Sequence, residues 1–284
     1  MQLLFLGTAA SEGFPDAFCG CDNCNAARAA GGRSLRKRSS VLLDGELLID
    51  LGPDLMAAAM QHGVNLAGVR YCLQTHEHHD HLDPSHFLSR SRFCGVIGNP
   101  RLHYYASQHA LDKIAASIAD DIGGQALTDP VVAEALNLTA TAIQLGRPFV
   151  AGPYRVLSLP AAHAPELTAM LYFIERGGRR LLYATDTGEL PSAAWEALVA
   201  YRAPIHVAVF DHTFGMQGRS NGHMNHEQVE EQIARLRRLG LLGADAQVFA
   251  THLGHHSHPT HEELAAFTAP RGYAPAYDGL VVTV

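Results

Sequence analysis

Short apolar runs alternate along the chain with polar clusters rich in Gly, Asp, Thr and His, a rhythm that predicts strands feeding loops. Residues 3–6 read as a strand running into a loop over 7–15, and 40–43 with 47–49, joined through Asp44-Gly45, read as a β-hairpin whose second arm ends at Asp50. Further strands are predicted at 69–73, 154–159, 170–174, 180–184, 207–210, 247–250 and 280–284. Helical periodicity marks 54–62, 192–201 and 227–239. The segment 103–138 is mostly helical in pattern, broken at Gly123-Gly124 and near Pro130, and reads as a helical insertion. Polar groups follow the strands at Thr75, at His163, at Thr185-Asp186, at Asp211-His212 and at Thr251-His252. Layered α/β proteins gather ligands at strand ends, so these five ends are expected to converge on one site.

Composition narrows the class. With 284 residues, 47% of them hydrophobic and 17% charged, the chain is neither disordered nor a coiled coil, and it reads as one folded α/β domain over 1–284. Twenty-one basic against 28 acidic side chains leave a formal charge of -7, so no global basic field attracts a polyanion, and nucleic acid is not the expected partner. No apolar run reaches the length of a membrane span and the start lacks the pattern of a secretory signal, so the expectation is a cytoplasmic protein acting on a small molecule. The outlier is histidine, 18 residues, and imidazole is the commonest metal ligand among side chains.

The densest signal is Thr75-His76-Glu77-His78-His79-Asp80-His81, a His-x-His-x-Asp-His run directly after an apolar strand. In an extended loop His76 and His78 point the same way, while Asp80 and His81 lie beyond a turn, an arrangement that suits two metal ions rather than one. Cys19-x-Cys21-x-x-Cys24 has zinc-like spacing, too tight for useful disulfides, and needs a fourth ligand; His255 is the candidate, with His256 and His258 as alternatives. Cys72 and Cys94 stand alone and read as buried small apolar residues.

With these motifs the sequence resembles the metallo-β-lactamase superfamily, over nearly its whole length. The resemblance implies an αβ/βα sandwich of four layers, with the metals at one sheet edge. It assigns His76, His78 and His163 to a first ion and Asp80, His81 and His252 to a second, with Asp186 bridging, and it places Asp50 behind a ligating histidine. The Cys triplet is similar to that of the phosphoribosyl cyclic phosphate phosphodiesterase branch, in which a histidine three residues after the last catalytic one completes a structural zinc site, as in His252-Leu253-Gly254-His255. The same branch implies a catalytic histidine at His223, with His226 as a helix-capping rival; Asp211, which ends a strand near this region, is expected to orient a ligand or His223.

The implied reaction is hydrolysis of a small cyclic phosphodiester by a water that two divalent ions (zinc or manganese, or iron) acidify. Three alternatives remain beside it. The run Leu6 to Pro15 followed by the cysteines resembles the pyrroloquinoline quinone biosynthesis B family, an oxidative reading, although that family usually departs from the full motif retained here. A lactone or thioester hydrolase uses the same ligands, and a non-catalytic metal-binding scaffold is the third. The tRNA 3′-end endonuclease family shares the ligands too, but the basic arm it uses for RNA is absent. A homodimer is a further expectation from the resemblance.

Overall fold

The computed structural model describes residues 1–284 and contains two mixed seven-stranded sheets. Strands β1 (Gln2–Gly7), β2 (Ser40–Leu43), β3 (Leu47–Ile49), β4 (Tyr71–Leu73), β5 (Leu102–Ala106) and β6 (Leu138–Ala142) build the first. The second holds β7 (Pro148–Ala151), β8 (Tyr154–Pro160), β9 (Met170–Arg176), β10 (Arg179–Ala184), β11 (Ile205–Asp211), β12 (Leu242–Thr251) and β13 (Ala274–Pro275), and the terminal β14 (Val281–Thr283) returns to pair with β1.

Both faces of the central strands are apolar because both are covered. Leu3, Phe5, Leu73, Leu181, Tyr183, Val207 and Val209 point into the layer between the sheets. Their sequence neighbours Leu6 and Cys72 pack under the helices of the first sheet, and Leu182, Ala184, Ala208 and Phe210 under those of the second. Period-two alternation thus fills two cores from one strand, and the result is an αβ/βα four-layer sandwich. None of the helices is long and apolar enough to cross a membrane.

The helical insertion differs from expectation. Its first residues form β5 and Leu138 starts β6, both parallel additions to the first sheet; between them lie helices Gln108–Ser117, Ala119–Ile122 and Pro130–Ala135. Leu102, Tyr104 and Ala106 are buried while His103 and Tyr105 are partly exposed, an alternation too short to stand out beside three helices. Helices Asp22–Ala30 and His261–Thr268 were not foreseen either. Cys94 is exposed, in a surface turn that follows Ser91, which corrects its assignment as a buried apolar residue; Cys72 is fully buried.

Candidate metal centre

Strands β3 and β4 run parallel, as do β10, β11 and β12, so their carboxyl ends open on one edge of the sandwich. The residues that follow those ends meet there. Asp50, Asp186 and His252 each take a left-handed backbone conformation, with φ of 68°, 56° and 59°. Non-glycine residues in that region carry strain, and such strain concentrates where side chains are aimed at a functional point.

All seven sequence-predicted ligands come together. His76, His78, His163 and Asp186 form one group, and Asp80, His81, His252 and Asp186 a second, with Asp186 shared. The Asp186 Oδ2 atom lies 3.0 Å from His76 Nε2 and 3.0 Å from His81 Nε2. His78 Nδ1 stands 3.0 Å from His76 Nε2 and 3.1 Å from His163 Nε2. Across the second group, His81 Nε2 is 3.3 Å from His252 Nε2 and 3.2 Å from Asp80 Oδ2.

The partners behind these rings fix which nitrogen carries the proton. His81 Nδ1 donates to Asp50 Oδ2 at 2.7 Å. His76 Nδ1 donates to the Thr75 hydroxyl at 3.0 Å, which in turn donates to Asp50 at 2.8 Å. His252 Nδ1 donates to Thr213 Oγ1 at 2.7 Å, and His163 Nδ1 to the Gly222 carbonyl at 3.4 Å. The Nε2 lone pairs of His76, His81 and His252 therefore face a buried carboxylate whose Oδ1 has no hydrogen-bond donor of its own, while His163 Nε2 turns toward His78. Acceptors crowded at this spacing repel one another, and a cation between them turns the repulsion into binding.

Beside this cluster, His223 Nδ1 lies 3.1 Å from Asp211 Oδ2 and 3.2 Å from Asp186 Oδ1. Burial disfavours the charged ring, but the two carboxylates outweigh it and push its pKa up to about 9. Asp211 is held in turn by the amides of Thr213 and Met224. His226 does not cap its helix: Asn225 does, in a capping box with Gln228, and His226 Nδ1 donates to the Gly215 carbonyl instead.

Cys19, Cys21, Cys24 and His255 form a separate group. His255 Nδ1 is 3.3 Å from Cys24 Sγ and 3.8 Å from Cys21 Sγ. The Cys24 amide at the helix start, and then His255, pull the Cys21 thiol down to about 6, whereas burial lifts Cys24 to about 12. Three sulfurs and one imidazole are a donor set for a tetrahedral thiophilic ion. The rivals for the fourth place lie elsewhere: His258 is buried, its Nε2 2.9 Å from His212 Nδ1, and His256 is exposed beside Glu12.

Thr75 and Thr213 escaped sequence reading, although each sits next to a predicted residue; their role depends on which ring nitrogen they meet. Two glycines escaped as well. A Cβ on Gly52 would stand 2.7 Å from the Asp80 carbonyl, and one on Gly188 would stand 2.0 Å from the Asn221 carbonyl. Gly188 lets the Asn221–His223 loop lie against the Asp186 loop. We therefore expect Gly188→Ala to retain the wild-type metal content while kcat falls about 10²-fold, the scale of a displaced catalytic group; unchanged kcat would show that the close approach is dispensable.

Residues 46–253 match the family model described as the beta-lactamase superfamily domain. Among solved structures, a diphosphatase of the PhnP family is 21% identical over 99% of this chain and 96% of its own, with a TM-score of 0.73. Zinc-bound PqqB from Methylobacterium extorquens is 21% identical over the full length of both chains, with a TM-score of 0.70. The short form of human tRNase Z is 15% identical over 100% of this chain and 99% of its own, at 0.65. At these identities the likeness is one of fold. No curated protein matches the chain by sequence.

Proposed function

The chain belongs to the β-lactamase superfamily, and from that premise we propose that it is a binuclear metallohydrolase that cleaves a small phosphodiester. The observation that carries the reading is the convergence of five imidazoles and the Asp80 carboxylate around the shared Asp186, a donor set that fits two divalent cations. His76, His78 and His163 would hold one ion, Asp80, His81 and His252 the other, and Asp186 both. When bound, such a pair supplies Lewis acidity and brings the pKa of a water toward neutrality.

The chain's own groups then divide the remaining work. Asp50, Thr75 and Thr213 keep the ligating rings in one tautomer, so no reorganisation is needed at the moment of reaction. His223 lines the cavity, and its Nε2 has no protein partner while Asp211 holds Nδ1. As the P–O bond to the leaving group breaks, Nε2 delivers its proton to the departing alkoxide oxygen, and Asp211 stabilises the protonated ring beforehand. A positioned acid serves a poor leaving group, which favours alkyl phosphodiesters, small cyclic ones included, over activated acyl substrates. The fold likeness to a PhnP-family diphosphatase supports hydrolysis at phosphorus, and the Cys19, Cys21, Cys24 and His255 group would add a structural zinc.

The test is turnover by the metal-replete protein on cyclic ribose phosphates, linear phosphodiesters, lactones and thioesters. Phosphodiester turnover is expected, and turnover of lactones or thioesters alone would contradict the reading. The acid is tested by His223→Gln, which should lower kcat about 10²-fold on an alkyl diester but much less on bis(p-nitrophenyl) phosphate, whose leaving group needs no proton. An equal loss on both would remove His223 from that role.

A further inference from the structure

The cavity over the metal cluster encloses about 440 Å³, and its outer end is built from residues that the hydrolytic chemistry does not use. From the cluster outward, the Phe214 ring stacks on His223 with centroids 6.0 Å apart, and His256 meets Phe214 edge-on at 5.7 Å. Glu12 closes the series, its Oε1 3.7 Å from His256 Nδ1. No lysine or arginine is among the residues lining this cavity, so beyond the imidazoles and the reacting centre the one formal charge at the outer end is the Glu12 carboxylate.

Glu12 is held there firmly. Its Oε1 accepts the His255 backbone amide at 3.3 Å, and its Oε2 accepts the Ser11 hydroxyl at 3.2 Å. A carboxylate fixed in that place accepts hydrogen bonds from hydroxyl groups and repels anions; the half-buried Phe214 face offers packing to a neutral ring. Recognition of a second phosphate normally uses arginine forks or lysine charges, and here the position carries the opposite sign.

We propose that Glu12, with Phe214 and His256, selects substrates whose only anionic group is the phosphodiester itself and whose remainder is neutral and hydroxyl-bearing, and excludes those carrying an additional phosphate. The inference rests on the phosphodiesterase reading. It separates this chain from the phosphoribosyl substrate class suggested by its cysteine motif, since that class bears a second phosphate.

The experiment compares ribose 1,2-cyclic phosphate with the same compound phosphorylated at the 5-position, using wild-type protein and Glu12→Gln at matched metal content. Glutamine keeps an acceptor for the His255 amide and removes the charge. The wild type should favour the singly charged compound by about tenfold or more in kcat/KM at low ionic strength, and Glu12→Gln should narrow that preference about tenfold, through KM of the 5-phosphate. A wild type that prefers the 5-phosphate would overturn the proposal, as would a ratio untouched by Glu12→Gln, the outcome if Glu12 only straps the loop. Bis(p-nitrophenyl) phosphate is the parallel control. Its turnover with an unchanged ratio removes the selectivity alone, whereas failure on every diester removes the phosphodiesterase reading and this inference with it.

Discussion

Asp186→Asn should lower kcat/KM on bis(p-nitrophenyl) phosphate by about 10³-fold or more and should empty both catalytic positions while leaving one zinc in the cysteine group. The substitution isolates charge. Asparagine accepts the left-handed backbone that Asp186 adopts at φ 56°, so the β10 end keeps its path. What disappears is the carboxylate whose Oδ2 lies 3.0 Å from both His76 and His81. Each ion would lose a ligand in common, and electrostatic stabilisation of the reacting group falls with them, which sets the size of the loss. Metal analysis of the purified variant checks the binding half and steady-state kinetics the catalytic half. Wild-type turnover at wild-type metal content would refute the shared ligand.

The second large effect is expected on stability. Cys21→Ser should release one tightly held zinc per chain and lower the thermal midpoint by on the order of 10 °C, as a structural zinc contributes several kcal/mol and a chain of this size shifts about 2 °C per kcal/mol. The reason lies in the connection between distant segments. Cys21 caps the helix Asp22–Ala30, and His255 sits in the loop three residues after His252, so the metal would tie the N-terminal loop to the strand end that delivers a catalytic ligand. The sulfur near the helix amides is the one pulled toward the thiolate, so serine removes the best anionic donor of the set. Atomic absorption and calorimetry decide it: unchanged zinc content and midpoint would leave the cluster as reduced thiols.

The ligand loop was legible because four ligating side chains fall within six residues after a strand, and a contiguous motif needs no tertiary information. His163, Asp186 and His252 were legible as polar punctuation after apolar strands, but it was the family resemblance that assigned them as ligands; for Asp186 and His252 the structure supplies the reason, since the parallel β10, β11 and β12 end at a common edge. Strands β5 and β6 were not, because five-residue alternations flanked by helical sequence offer too few periods to register. The hydroxyls of Thr75 and Thr213 matter only through the ring nitrogens they face, and Glu12 becomes interesting only when a residue 243 positions away donates its amide to it. Histidine abundance misled in part. His212 and His258 pair in the interior, their ring nitrogens 2.9 Å apart, with burial holding both well below the ordinary imidazole value, so they are core polar groups and no metal ligands.

Everything turns on cations occupying the converged imidazoles, and anomalous diffraction from crystals of the metal-replete protein measures that directly. Two peaks about 3.5 to 4 Å apart with the Asp186 carboxylate reaching both, and a third peak among Cys19, Cys21, Cys24 and His255, are the predicted result. A single peak remote from Asp186, or none within the His76 to His81 loop, would contradict it.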